Sequence, residues 1–163
     1  MRSDLPSLLP LLFRRVHGMI LFQMSDNHRP EDILNFWFPP QSHSTDPAIV
    51  ARQVEWWFRG SADTEIIARF QPVLAAAEHG ALDEWSGSPR SRLAFIIALD
   101  QFSRSVHRGS AKSYANDLKA LSLTLEGLEN GHVTALQLPW EMLFFGGRLV
   151  IRRTSRIRTW PCS

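Results

Sequence analysis

The chain has 163 residues, of which 44% are hydrophobic and 21% are charged, and this length favours one domain with a core of its own. A single cysteine excludes an intramolecular disulfide and every zinc site that needs several cysteines. The net charge of +2 divides into +2 for residues 1–23, −5 for residues 24–145 and +5 for residues 146–163, and this acidic body argues against a nucleic-acid partner.

Residues 1–23 form an apolar, arginine-containing extension that we expect to lie outside the domain. Pro6 and Pro10 interrupt its apolar run and two arginines end it, so it fits neither a secretory signal nor a membrane span. An amphipathic anchor at a membrane surface is the alternative. Met24 opens an ordinary polar segment before a helix, and we expect it to be the original start of the protein.

Residues 24–145 are predicted to form an all-α domain of about six helices packed as antiparallel hairpins. Residues that start and end helices recur along this segment, and no strand-like alternation stands out. Asp46–Pro47 and Ser88–Pro89 pair an N-cap with a first-turn proline. The other expected starts are Pro30, Ser61 or Asp63, Ser110 and Pro139. The fifth helix carries leucines at 118, 121, 125 and 128, and the sixth is expected to end at Phe145.

The fourth predicted helix differs from the others because it changes from apolar to polar along its length. Residues 93–99 are apolar on every side and should be buried. Asp100 and Arg104 follow at the i, i+4 spacing that favours an ion pair. Together with Gln101, His107 and Arg108, these two residues form a set of polar side chains that we call the polar row.

The polar row has two interpretations. One is a buried ion pair that pins neighbouring helices, which these residues alone slightly favour. The other is a pocket for an anion or carboxylate, in which Asp100 orients the planar donors of Arg104 and Arg108. A lone helical histidine is more often a packing residue than an acid or base. The ligand-binding candidates are Asp100, Gln101, Arg104, His107 and Arg108.

Other possible sites have weaker support. The aromatic clusters at residues 36–38 and 56–58 could line a ligand groove, but their helical spacing favours a place in the core. The histidines lack partners at metal-ligand spacing, and the glycine motifs that hold phosphates are absent. We therefore predict no metal site and no cofactor.

The string Asp-Gln-Phe-Ser-Arg-Ser-Val-His-Arg-Gly at residues 100–109 resembles the bacterial domain-of-unknown-function 924 family. Ile33-Leu34-Asn35-Phe36-Trp37-Phe38 is similar to the opening helix of that family, and the resemblance covers about residues 30–145. It implies a cytoplasmic bacterial protein with a tetratricopeptide-like helical fold and no established activity. Ser105 and His107 stand where the family usually has asparagine and tyrosine.

Residues 146–163 depart from that family, because they show no helical or strand period and carry five arginines without an acid. The family continues instead into a His-Ser-Glu motif and further helices. Permitted codons for Val150 to Cys162 can spell this motif in another frame. We therefore expect a frameshift to have truncated the domain, and a gene sequence without the motif in any frame would refute this.

Three functions follow from these expectations. The leading one is a scaffold that binds a small anionic ligand or a peptide in a groove beside the polar row. The alternative is a hydrolase-like enzyme that is inactive in this chain because the His-Ser-Glu motif is missing. The third is a truncated remnant whose apolar helix faces are exposed and need a partner to cover them. We expect no membrane span and no nucleic-acid partner.

Overall fold

The computed structural model describes residues 28–156, and the side chains of residues 28–147. Over these residues the chain is all-α, as predicted, and contains no strand. The predicted extension at residues 1–23 lies outside the described residues, as does the end of the predicted tail, residues 157–163. The helices are α1 (Pro30–Trp37), α2 (Pro47–Phe58), α3 (Asp63–Glu78), α4 (89–106), α5 (Asp117–Glu129) and α6 (Pro139–Arg156).

Helix α4 occupies the centre of the fold. It consists of an α-helical part, Pro89–Ile97, a π-helical turn, Ala98–Phe102, and a last α-helical turn, Ser103–Val106. The apolar side chains of residues 93–99 are all buried, as their all-round apolar pattern predicts. Helices α1, α5 and α6 pack on its first part, while α3 packs on the π-helical turn.

Two of the predicted helix starts are confirmed by side-chain caps. The Asp46 carboxylate accepts hydrogen bonds from the backbone N–H groups of Ala48 and Ile49. The Ser88 hydroxyl accepts one from the N–H of Ser91, and a proline occupies the first turn in both helices.

The other two predicted caps are wrong. Helix α3 begins at Asp63 with no side-chain cap, because the Asp63 carboxylate is held by a distant arginine instead. Ser110 caps a short 3-10 turn, Ala111–Tyr114, and α5 begins only at Asp117. One predicted helix is thus a turn followed by a shorter helix.

Helix α5 packs through its small residues. Ala120, Thr124 and Gly127 face the core, whereas Leu118 is 71% exposed and Leu125 is 44% exposed. A Cβ atom on Gly127 would lie 2.7 Å from Cδ of Arg92 and closer still to the Phe145 ring. This close approach brings the face of Gly127 against the core, together with the buried Leu123, and the predicted leucine row lies to one side of it.

Helix α6 extends further than its sequence predicts. Glu141 secures its start by accepting hydrogen bonds from the backbone N–H groups of Gln137 and Leu138. The predicted end at Phe145 is wrong, because Gly146 and Gly147 continue the helix to Arg156 with ordinary negative φ angles. Among the described helices, none combines the length and apolarity needed to cross a membrane.

Candidate functional site

Arg104 is the most heavily bonded member of the polar row, and it lies just after the π-helical turn. Its Nη2 atom is 2.9 and 3.2 Å from the two carboxylate oxygens of Asp117, and 3.4 Å from Oδ1 of Asp100. Its Nη1 atom donates to the Ser113 carbonyl, and its guanidinium lies 4.1 Å from the centre of the Tyr114 ring. Arg104 therefore joins α4 to the start of α5.

Arg108 reaches in another direction, to the start of α3. Its Nε and Nη2 atoms donate to the two carboxylate oxygens of Asp63, at 2.5 and 2.8 Å. Burial alone would raise the pKa of Asp63, but hydrogen bonds from Arg108 and Ser105 and the positive charge of Arg108 outweigh it. The pKa of Asp63 is therefore below its usual value.

Of the two remaining candidates, only Gln101 makes a side-chain hydrogen bond to a described residue. Gln101 donates its side-chain N–H to Asp100 at 2.9 Å. His107 places Nε2 at 3.6 Å from Oε1 of Glu78, which also accepts a 2.9 Å hydrogen bond from Asn116. Nε2 of His107 is buried and has no hydrogen-bond partner among the described residues. The other four predicted residues bond to each other and to carboxylates on α3 and α5. This is the geometry expected of an interhelical brace, and a role in ligand binding stays a prediction.

A cavity of about 700 Å³ opens elsewhere, between α1, α2 and α3. Phe36 and Trp56 form its aromatic wall, with their ring centres 5.2 Å apart and their planes at 62°. The cavity is lined by Asp32, Asn35, Phe36, Pro39, Gln41, Ile49, Arg52, Gln53, Trp56, Glu65 and Arg69.

Three of the four charged side chains that line this cavity are already paired. Arg69 bonds to Glu65, one turn earlier on α3, and lies over the ring of Phe36 at 5.1 Å. Asp32 is 2.9 Å from Arg29, whose hydrogen bond holds the pKa of that carboxyl below its usual value. Among the described residues, Arg52 has no carboxylate within ion-pair distance.

Polar side chains in the same cavity also lack partners. Gln53 is only 5% exposed, yet its Nε2 atom has no hydrogen-bond partner among the described residues. The side-chain amides of Asn35 and Gln41 line the same space, and neither makes a hydrogen bond within the part of the chain that the structure describes. The Gln53 amide therefore lies buried in the wall of the cavity without a described partner for its Nε2 atom, while Asn35, Gln41 and Arg52 are exposed beside the two aromatic rings.

The aromatic clusters divide between the core and this cavity. Trp37, Phe38 and Trp57 are buried, and Nε1 of Trp57 donates to the Trp37 carbonyl at 2.9 Å. Phe36 and Trp56 lie at the edge of the same cluster and face the cavity. The core prediction is therefore correct for these three rings and incomplete for Phe36 and Trp56. It is wrong for Phe58, the last residue of α2, which is 59% exposed.

Asn35, Arg52 and Gln53 are not among the binding-site candidates that the sequence predicts. Arg52 and Trp56 are four residues apart on α2, so a cation and an aromatic ring share one helix face. That spacing is a usable signal, but only the packing of α1 and α3 against α2 turns the face into a cavity. Within the described residues, no group of three or more histidine, cysteine or acidic side chains could hold a metal ion.

Comparisons with known proteins place this architecture in a family. The family model described as "Bacterial protein of unknown function (DUF924)" matches residues 33–149. The fold is similar to that of a protein of unknown function from Agrobacterium tumefaciens, with a TM-score of 0.58 and 30% sequence identity. The match covers 73% of this chain and 61% of that one, so the chain spans less than two thirds of that protein's length. No curated protein matches the chain.

Proposed function

This chain belongs to the bacterial DUF924 family, and from that premise we propose that it is a helical scaffold that binds a small molecule between α1, α2 and α3. The observation that carries the proposal is the buried amide of Gln53, which lines the cavity and has no described partner for its Nε2 atom. A buried donor without a partner costs about 1–3 kcal/mol, and a ligand acceptor would remove that cost.

The size of the cavity favours a small molecule over a peptide. Its volume of about 700 Å³ lies within the range of about 300–1,000 Å³ that is typical of small-molecule sites. Such sites combine apolar and aromatic walls with a few polar groups that fix the orientation of the ligand. Phe36 and Trp56 supply the first feature, and the amides of Asn35, Gln41 and Gln53 supply the second.

In this proposal the polar row, at the end of α4 and just after it, positions helices and does not touch the ligand. The bond from Arg108 to Asp63 fixes the first turn of α3, and Glu65 and Arg69 on that helix form one wall of the cavity. Arg108 would then affect ligand binding through the position of α3. The location implied by the family resemblance, the bacterial cytoplasm, is part of the same proposal.

Replacing Gln53 by leucine tests this function because the change keeps the side-chain volume and removes the amide. The free protein should become more stable by about 1 kcal/mol, since the buried donor is gone. Binding of 2-naphthamide, a planar neutral probe, should weaken about three- to tenfold, since its carbonyl loses the Gln53 donor. Both changes are measured on the full chain, by urea unfolding and by NMR titration of the Trp56 indole signal in both proteins and of the Gln53 side-chain amide signal in the wild type.

Gln101→Leu is the matched control, because Gln101 bonds to Asp100 and lies outside the cavity. It should leave the affinity for 2-naphthamide unchanged and should not raise the stability. An equal affinity of the wild type and Gln53→Leu for the probe contradicts the proposal.

A further inference from the structure

The charges around the cavity indicate which class of small molecule it takes, provided that the proposed function holds. The four charged side chains that line it are Asp32, Arg52, Glu65 and Arg69, so their formal charges cancel. Arg69 is held by Glu65, and Asp32 is held by Arg29 from outside the cavity. Arg52 is therefore the one lining charge that keeps its hydrogen-bonding capacity, within the part of the chain that the structure describes.

Arg52 is also placed next to the other free groups. It lies one helical turn before Trp56 on α2 and directly before Gln53, and all three residues line the cavity. A guanidinium presents two parallel N–H groups that match the two oxygens of a carboxylate. A ligand whose planar body contacts the Phe36–Trp56 wall would hold a carboxylate within reach of Arg52.

We propose that the ligand is a planar organic monocarboxylate, with its carboxylate on Arg52, its ring against Phe36 and Trp56, and an acceptor group on the amide of Gln53. The carboxylates of Asp32 and Glu65 in the cavity wall favour a ligand with a single negative charge. Asp32 and Glu65 would repel the second charge of a phosphate monoester, because Arg52 is the only unpaired cation among the described lining residues.

Three probes that share one ring system distinguish the effect of the ligand's charge on affinity from the effect of its shape. They are 2-naphthoate with one negative charge, 2-naphthamide with none and 2-naphthyl phosphate with up to two. The full-length chain should bind 2-naphthoate about tenfold more tightly than 2-naphthamide at low salt, since a charge-assisted hydrogen bond is about twice as strong as a neutral one. Raising the salt concentration should reduce this ratio, because Arg52 is exposed and its charge is screened.

Arg52→Gln should bring the ratio of the two affinities close to one and leave the affinity for 2-naphthamide nearly unchanged. Arg59→Gln removes the same charge at the residue that follows the same helix, outside the cavity, and it should preserve the tenfold ratio. Both arginines are exposed, so both variants should unfold at the wild-type urea midpoint.

The possible failures are distinguishable. If 2-naphthamide binds with the expected shifts but 2-naphthoate binds no better, the ligand class is wrong and the proposed function stands. A ratio that Arg52→Gln leaves at tenfold, or tighter binding of 2-naphthyl phosphate than of 2-naphthoate, overturns the ligand class in the same way. If none of the three probes shifts the Trp56 or Gln53 signals, the proposed function fails and this inference fails with it.

Discussion

Arg108 donates two hydrogen bonds to the Asp63 carboxylate, although 45 residues separate the two along the chain. The pair links the segment just after α4 to the first residue of α3. A carboxylate in the first turn of a helix is also stabilised by the partial positive charge at that end. The pair therefore fixes the start of α3, the helix that carries one wall of the proposed binding cavity.

Asp63→Asn should destabilise the protein at neutral pH and have less effect in acid. The pKa of Asp63 is lowered in the folded protein, so in the acid range the unfolded chain binds more protons and stability rises with pH. The contribution is full above the unfolded pKa of about 3.9 and is lost as the pH falls through the folded pKa. Urea unfolding at pH 7 should show a loss of about 0.5–1 kcal/mol, given that Arg108 is largely exposed.

The control for this prediction is a double-mutant cycle with Arg108→Gln. Because the two side chains bond to each other, the double variant should lose less stability than the sum of the single variants. The difference between wild type and Asp63→Asn should shrink as the pH falls from about 5 towards 2. A difference that stays constant over this range would show that the ion pair does not contribute to acid stability.

Gly127→Ala should destabilise the fold by about 1–3 kcal/mol, the typical cost of overfilling a packed interior. The added Cβ atom would overlap the Phe145 ring and lie 2.7 Å from Cδ of Arg92, a buried side chain. Gly146→Ala is the matched control, because Gly146 is also helical and, apart from its chain neighbours and its own helix backbone, no atom of the described residues lies within 4 Å of its Cβ position. There the better helix propensity of alanine should add about 0.5–1 kcal/mol. The urea midpoint should fall for Gly127→Ala and rise for Gly146→Ala. An unchanged midpoint for Gly127→Ala contradicts the close packing of Gly127 against Arg92 and Phe145.

The sequence predicts best what is decided locally. An apolar surface on every side identifies residues 93–99 as a buried helix, and the caps at Asp46 and Ser88 follow from their own neighbours. The resemblance carried by residues 100–109 also identifies the family correctly. Each of these features is determined by a few residues that are close together in the sequence.

Features formed by distant segments could not be predicted in this way. The i, i+4 spacing correctly pairs Asp100 with Arg104, yet the shorter contacts of Arg104 are to Asp117 on another helix. The sequence predicts Asp63 as a helix cap, because no neighbouring residue indicates that Arg108 will pair with it. The cavity beside Arg52 likewise exists only because three helices meet there.

Arg92→Lys should be more harmful than an exposed arginine-to-lysine change. Arg92 is 3% exposed and donates to two carbonyl groups at once, Leu123 at 2.8 Å and Ser86 at 2.6 Å. A lysine ammonium cannot reproduce this planar fork and is more strongly hydrated, so its burial costs more. We expect a loss of about 1–3 kcal/mol in urea unfolding.

Arg59→Lys is the control for that substitution, because Arg59 is exposed and makes no ion pair with any described residue. Its unfolding free energy should stay within about 0.5 kcal/mol of the wild type. If the two variants lose equal stability, the two hydrogen bonds from Arg92 to backbone carbonyls do not hold α4 to its neighbours.

The exposed leucine row of α5 should contribute little to the stability of this chain. Leu125 is 44% exposed and Leu123 is 7% exposed, although both lie on the same helix two residues apart. Leu125→Ala should therefore change the unfolding free energy by no more than about 0.5 kcal/mol, whereas Leu123→Ala should cost about 2–4 kcal/mol by leaving a cavity. The two substitutions remove the same atoms, so the ratio of their costs in urea unfolding measures burial directly. A cost for Leu125→Ala as large as that for Leu123→Ala would mean that the leucine row is covered in solution by another surface.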